Sequence, residues 1–196
     1  MATEQQRNHR YTVAEYFALE GVSETKYEYY EGEIVALAGA SPNHLRLTMN
    51  VGGLLWSQLR GTECSVFPSD TRLRVSASRY VYPDATVVCG RPDFVREPLD
   101  LLLNPTVVAE VLSPSTEHRD RGQKFVFYRS IPTLRDYVML EQDRVHVEHF
   151  SKTQAGLWVL REYEAITAVV ELESIRARLP LGEVYAGVDV RSSGDE

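Results

Sequence analysis

The sequence predicts a single domain of the α/β (α+β) class, with a mixed β-sheet flanked by helices and a C-terminal β-meander. Two observations predict this class. Helix-start signals precede apolar segments in the first third of the chain, whereas short β-branched runs bounded by turn residues dominate the rest. The chain has 196 residues, enough for one domain with a sizeable core. We expect a disordered lead over 1–10, one domain over 11–190 and a polar tail over 191–196.

Composition excludes several functional classes. The formal net charge is -7, so bulk positive charge does not hold nucleic acid, although a local basic groove remains open. The chain lacks the run of about 18 apolar residues that a membrane span needs, and its polar start lacks the apolar core of a signal peptide. Cys64 and Cys89 fit neither a zinc spacing nor a disulfide framework. We therefore expect free thiols and a cytoplasmic location.

Two helices are predicted within the first 60 residues. Thr12 and Glu15 form a capping box that starts a short helix. Ser41 is placed to cap a second helix with Pro42 at its first position. This helix continues to about residue 60, where Gly61 ends it. Its expected core side consists of Leu45, Met49, Leu54, Leu55 and Leu59.

Strands account for most of the remaining pattern. Residues 27–30 and 33–37 flank Glu31-Gly32 and predict a β-hairpin. Further strands are expected over 63–67, 71–75, 81–89 and 106–112. Thr116 can cap a helix over 117–130, which Pro132 ends. The β-meander is expected over 135–141, 144–150 and 157–163, and a short helix over 172–178.

Two of these apolar strands each contain a carboxylate. Asp84 lies within Tyr82–Val88, and Glu110 lies within Val107–Ser113. An ionised carboxylate in a buried strand is costly unless a cation, a metal ion or a hydrogen-bond network meets it. Paired strands would bring the two carboxylates to one edge or face of the sheet. We therefore expect a divalent-metal site of oxygen ligands, with the backbone carbonyl of Val111 as a third ligand.

A lysine follows on the next predicted helix. Asp120 and Lys124 are one turn apart there, and the helix comes directly after the Glu110 strand, so Lys124 could reach the carboxylates. Two carboxylates and a lysine suit metal-assisted phosphodiester hydrolysis, in which the metal activates water and the lysine stabilises developing charge. The alternative is an Asp–Lys pair on a solvated helix surface, which contributes little.

Other polar residues allow a structural or a functional interpretation. His44 is either a polar first-turn residue or part of the site. Glu28 lies among tyrosines, where an exposed strand face explains it as well as catalysis does. A small basic cluster ahead of Asp84 could contact phosphates or simply face solvent; it consists of Arg72, Arg74 and Arg79. The histidines that lack a metal-ligand spacing are His9, His118, His146 and His149.

Pro83-Asp84, followed by Glu110-Val111-Leu112 in a second apolar strand, resembles the PD-(D/E)XK nuclease superfamily. The fuller pattern is similar to one branch, the Uma-two-type restriction endonuclease family. The matching segments are Tyr27–Glu33, Ser41–His44, Tyr82–Asp84, Val108–Thr116, Asp120, Lys124 and Tyr128. The likeness spans about Thr12 to Phe150.

The resemblance implies a restriction-endonuclease-like fold with Asp84 and Glu110 as ligands of Mg2+ (or Mn2+). The superfamily's lysine is expected two residues after the acidic strand residue, where this chain has Leu112. In this branch the following helix supplies the lysine, and Lys124 matches it. His44 and Asp120 are the supporting candidates.

The function implied is a Mg2+-dependent endonuclease that acts on DNA. Two alternatives stay open: a catalytically silent nucleic-acid- or protein-binding module on the same fold, and a nuclease acting on RNA or branched DNA. Because cleavage of a duplex needs two active sites, we also expect a homodimer, with the β-meander or its edge strand as its interface.

Overall fold

The computed structural model describes residues 9–37, 39–96, 99–112 and 124–190. The α-helices within these residues are α1 (Val13–Glu20), α2 (Pro42–Leu59), α3 (Phe125–Tyr128) and α4 (Leu181–Val184), and a 3-10 helix covers Glu173–Ile175. The first eight strands are β1 (Tyr27–Tyr30), β2 (Glu33–Ala36), β3 (Cys64–Pro68), β4 (Leu73–Ser76), β5 (Arg79–Val81), β6 (Ala85–Cys89), β7 (Phe94–Val95) and β8 (Leu101–Leu102). The others are β9 (Val107–Leu112), β10 (Asp136–Glu141), β11 (Val147–Lys152), β12 (Trp158–Tyr163), β13 (Val169–Leu172) and β14 (Ala177–Pro180).

The strands form two mixed sheets and a separate hairpin. The central sheet has the order β12-β11-β10-β9-β6-β3, in which β9 and β10 are parallel and the other neighbours antiparallel. The outer sheet has the order β2-β1-β5-β4-β8-β7, with β4 and β8 parallel. The hairpin is β13-β14. The predicted mixed sheet with flanking helices is therefore confirmed, and a second mixed sheet accompanies it.

Three apolar clusters define the layers. One lies between the two sheets and includes Leu73 of the outer sheet and Val108 of the central sheet. A second lies on the far side of the central sheet, where α2, α4 and the β13-β14 hairpin pack. A third packs Tyr16 of α1 on the outer sheet. The central sheet is thus covered on both faces, so polar side chains on its inner strands are buried.

The predicted helix caps and the first hairpin are confirmed. Thr12 accepts a hydrogen bond from the backbone N–H of Glu15 at 3.2 Å, and the Glu15 carboxylate accepts from the Thr12 N–H at 2.7 Å. Ser41 Oγ accepts from the backbone N–H at the third position of α2, 3.1 Å away. Glu31 and Gly32 both have positive φ, as a tight hairpin turn requires.

The predicted core side of α2 is wrong in part. Leu45 and Met49 are 60% and 73% exposed. The buried stripe is Leu47, Val51, Leu55 and Leu59. Leucine, methionine and valine occur on both sides of this helix, so its apolar pattern fits two rotations about the helix axis.

The β-meander is confirmed as β10, β11 and β12, with β12 at the edge of the central sheet. The helix expected over 172–178 is instead a single 3-10 turn between β13 and β14. In the described part of the chain, α2 and the shorter helices are all unsuited to crossing a membrane, in length or in apolar character.

The prediction of free thiols is wrong. Cys64 and Cys89 are directly opposite each other on the antiparallel pair β3 and β6, and they form a disulfide. Residues 25 positions apart cannot be recognised as cross-strand partners without the register of the strands. The cytoplasmic location, which rested on these thiols, stays a prediction.

Candidate active site

Asp84 lies beside the strand that carries Glu110. It immediately precedes β6, which pairs with β9 through Ala85 opposite Ala109, so Asp84 comes opposite Glu110. The backbone N–H of Val111 donates to Asp84 Oδ2 at 2.7 Å. The two carboxylates predicted from the apolar strands are therefore neighbours at one end of the central sheet.

The first turns of α2 hold the other Asp84 oxygen. His44 Nε2 lies 2.8 Å from Oδ1, and Thr48 Oγ1 donates to the same oxygen at 3.3 Å. His44 and Thr48 are four residues apart, so they share one face of the helix. Because a carboxylate oxygen accepts, Nε2 is the nitrogen that donates. The structure thus brings His44 to the site and shows Thr48, which the sequence had not indicated, beside it.

Glu110 points into the layer between the two sheets. Its Oε1 accepts from Lys124 Nζ at 3.1 Å and from Tyr128 Oη at 2.7 Å. Lys124 is 4% exposed, so it is not the lysine of a solvated surface pair. Asp120, its predicted helical neighbour, lies outside the described residues.

Glu28 of the outer sheet completes this cluster from the opposite side. It is 3% exposed, so of the two interpretations left open for this residue, the exposed strand face is wrong. Tyr30 Oη donates to Glu28 Oε2 at 2.7 Å, and the backbone N–H of Tyr82 donates to Oε1 at 3.2 Å. Lys124 Nζ lies 3.6 Å from the same Oε1. Alternation along β1 puts Glu28 and Tyr30 on one face, but only the packing of the two sheets shows that this face is buried.

The surroundings of the cluster shift the pKa values of its side chains and so set their protonation states. Burial alone would lower the pKa of Lys124, but the carboxylates of Glu110 and Glu28 outweigh it and hold that pKa well above its ordinary value. Burial raises the pKa of the Tyr128 phenol, and Glu110 adds to this shift. Burial likewise raises the pKa of Tyr30. Lys124 is therefore a protonated donor, and both phenols are neutral donors.

The donor chemistry fits a divalent cation. Asp84, just before β6, and Glu110, on the neighbouring strand β9, supply carboxylate oxygens, and oxygen ligands are those that Mg2+ prefers. His44 supports Asp84 as outer-shell groups support metal-binding carboxylates. Val111 holds Asp84 through its N–H, and its carbonyl as a ligand stays a prediction.

The predicted basic cluster has structural partners. Arg72 forms an ion pair with Glu20, and Arg79 forms one with Glu31. The Arg79 guanidinium also lies 3.9 Å from the ring centroid of Phe127. These contacts hold the outer sheet to α1 and α3, so two of the three arginines are engaged within the fold.

The fold, with a carboxylate–lysine cluster between two mixed sheets, is of the restriction-endonuclease-like class that the sequence predicted. A solved structure supports this fold: a DUF820 protein of Anabaena variabilis, described as a putative nuclease, matches with a TM-score of 0.74. The match covers 90% of this chain and 98% of that chain at 16% identity.

The chain belongs to the Uma2 family, described as "Putative restriction endonuclease", whose model matches residues 13–181. It is 39% identical over 166 residues to the uncharacterized protein sll1609 of Synechocystis, covering 84% of this chain and 94% of that protein. It is also 34% identical over 175 residues to the uncharacterized protein slr1290 of the same organism, covering 89% and 90%.

Proposed function

We propose that this protein is a Mg2+-dependent endonuclease that hydrolyses phosphodiester bonds in DNA. The observation that carries the proposal is the burial of Lys124 against Glu110, on the strand beside Asp84. Burying charged groups costs stability unless they are well paired, so stability alone gives little reason for this arrangement. Phosphodiester hydrolysis uses all three groups.

Each residue has a defined task in this proposal. Asp84 and Glu110 hold the divalent ion, which when bound supplies positive charge next to the reacting phosphate. His44 and Thr48 fix the orientation of Asp84. Lys124 keeps its proton on Nζ and donates to oxygen atoms that gain negative charge.

The raised pKa of Lys124 favours one of two roles for a lysine. A general base works best when its pKa is near the working pH. The pKa of Lys124 is shifted the other way, upward, by Glu110 and Glu28. Lys124 therefore acts as an electrostatic stabiliser, and Glu28 acts as a positioning residue that keeps the ammonium in place and charged.

Two observations favour a silent binding module instead. The net charge of -7 weakens non-specific affinity for any nucleic acid. Two arginines near the site are also paired within the fold. A protein without catalytic activity that binds another protein would tolerate both features.

The deciding experiment incubates the protein with supercoiled plasmid, single-stranded DNA, a branched junction and RNA, each with Mg2+, Mn2+ or EDTA. The proposal predicts cleavage of DNA that needs the divalent ion and is lost in Asp84→Asn. Asp70→Asn is the matched control, because Asp70 is exposed and pairs only with Lys26 among the contacts described. Cleavage of RNA or the junction alone would change the substrate class, and no cleavage at all would favour the silent module.

We also propose a homodimer that pairs through β12. This strand is the edge of the central sheet, and its Val159 and Leu160 are 36% and 45% exposed. Exposed apolar edge strands are prone to pair with another chain. A dimer would supply two active sites for the two strands of a duplex.

A further inference from the structure

A second group of metal-ligating side chains lies at the β11–β12 end of the central sheet. His146 immediately precedes β11, Glu148 lies on β11, and Glu162 lies on β12 directly opposite Glu148. Glu148 is also opposite Met139 of β10, which is opposite Glu110. The group therefore shares a sheet face with Glu110 but is separated from it by two strand spacings, roughly 10 Å.

The spacing of the ligand atoms suits one ion. One ligand atom from each of His146, Glu148 and Glu162 lies within 4.8 Å of the other two. His146 Nε2 and Glu162 Oε1 are 3.4 Å apart. Two ligands of a tetrahedral zinc ion, each about 2.1 Å from the metal, are about 3.4 Å apart. This pair already has the separation that a bound ion imposes.

A separate carboxylate orients the histidine. Glu141 Oε1 lies 2.8 Å from His146 Nδ1. Because the carboxylate accepts, it keeps a proton on Nδ1 and leaves the lone pair of Nε2 directed at the other ligands. Metal-binding histidines are held by an outer-shell carboxylate in this way. The Tyr185 hydroxyl oxygen lies 2.9 and 3.0 Å from the carbonyl oxygens of Glu141 and His146, so its one proton can be donated to either and it holds the backbone of both residues.

Burial provides both a rigid site and an entry path. His146 and Glu148 are 4% and 8% exposed, whereas the Glu162 side chain is 58% exposed. Two ligands are thus held inside the sheet layer, and the third can close over an ion that arrives from solvent.

We propose that His146, Glu148 and Glu162 bind one divalent transition-metal ion, with Zn2+ as the preferred ion. An imidazole nitrogen among carboxylates favours Zn2+ over Mg2+, which prefers oxygen ligands only. The ion would tie the edge strand β12 to β11 and to the loop before it. The alternative for the same geometry is a metal-free network in which a protonated His146 bridges Glu141 and Glu162.

Calorimetric titration with Zn2+ separates these alternatives. Asp84→Asn is used as the background, so that the first site does not contribute. Glu162→Gln removes one ligand at an exposed position and leaves the fold intact. Glu164→Gln is the matched control, because Glu164 is also exposed, lies two residues away and loses the same charge.

We expect one Zn2+ to bind to the background and to the control, and affinity to fall at least about tenfold when Glu162→Gln is added. Equal affinity in all three proteins would overturn the proposal. Because Asp84→Asn could affect folding, a second measurement uses wild type: crystals soaked in Zn2+ and measured at the zinc absorption edge. An anomalous peak about 2.1 Å from His146 Nε2 supports the site, and no peak there at saturating Zn2+ overturns it.

Discussion

Lys124 and Glu110 form a buried ion pair, with Nζ of the lysine 3.1 Å from Oε1 of the glutamate. The lysine comes from the start of α3 and the glutamate from β9, so the pair joins a helix to the central sheet. Glu28 of the outer sheet approaches the same ammonium at 3.6 Å. Lys124 therefore stands between two sheets and balances the charge of two buried carboxylates.

Removing the ammonium should destabilise the fold strongly. We expect Lys124→Met to lower the free energy of unfolding by about 3–5 kcal/mol, because two buried carboxylates lose a cation. Adding Glu28→Gln should recover part of this loss, with a coupling of about 0.5–3 kcal/mol. Urea denaturation measures both. Lys26→Met is the control at an exposed ion pair and should cost about 1 kcal/mol or less. A Lys124→Met loss no larger than the control's would show that the pair is not buried as described.

The central carboxylates could be predicted from sequence. A charged residue inside a short apolar, β-branched run is unusual, and it can be recognised from its immediate neighbours without knowledge of the fold. Asp84 and Glu110 were predicted in this way, whereas His44 was a supporting candidate through the family resemblance. Their neighbour Glu28 was not, because its strand alternates tyrosine and glutamate as an exposed strand also does. Only the packing of one sheet against the other buries it.

The other differences between the predicted and the observed structure also arise from tertiary packing. The apolar residues of α2 fit two rotations of the helix, and only its packing on the central sheet shows that Leu47 is buried and Leu45 exposed. The cross-strand pair of Cys64 and Cys89 depends on strand register. So does the group formed by His146, Glu148 and Glu162, in which the ligands come from two strands.

Metal binding should depend on Asp84. Titration of wild type with Mg2+ in a calorimeter is expected to show a binding isotherm, and Asp84→Asn is expected to lose it. Mg2+ is the appropriate probe here because it disfavours a nitrogen ligand and so reports on the all-oxygen site. Asp70→Asn, at an exposed aspartate, should bind as wild type does. Unchanged Mg2+ affinity in Asp84→Asn would remove this residue from the ligand set.

The ion pair of Lys124 should be insensitive to pH over the working range. Glu110 and Glu28 raise the pKa of Lys124 against the opposing effect of burial. A raised folded-state pKa gives stability that is fully present below the unfolded value, about 10.4, and is lost as pH rises through the folded value above it. The difference in unfolding free energy between wild type and Lys124→Met should therefore agree within about 0.5 kcal/mol at pH 7.0 and 9.5. A clear increase of this difference at pH 9.5 is the result that a lowered pKa of Lys124 would give, and it would contradict the prediction.

Assembly should depend on the edge strand β12. We expect sedimentation at micromolar concentration to show a dimer for wild type and a monomer for Leu160→Lys, because a charge on an exposed edge strand opposes pairing. Ile166→Lys is the control, since Ile166 is similarly exposed, at 47%, but lies outside the strand. A monomer for wild type, or a dimer that survives Leu160→Lys, would exclude β12 as the interface.

The most direct test of the proposed active site is the Mg2+-dependent rate of plasmid nicking by wild type and by Lys124→Ala. The rate is measured at a temperature where circular dichroism shows both proteins folded. We predict a rate about 100- to 1000-fold lower for the variant, as for the loss of one electrostatic stabiliser. Lys124→Arg should not restore it, because a planar guanidinium does not replace a compact ammonium. A folded Lys124→Ala protein that nicks DNA as fast as wild type would contradict the catalytic role of this lysine.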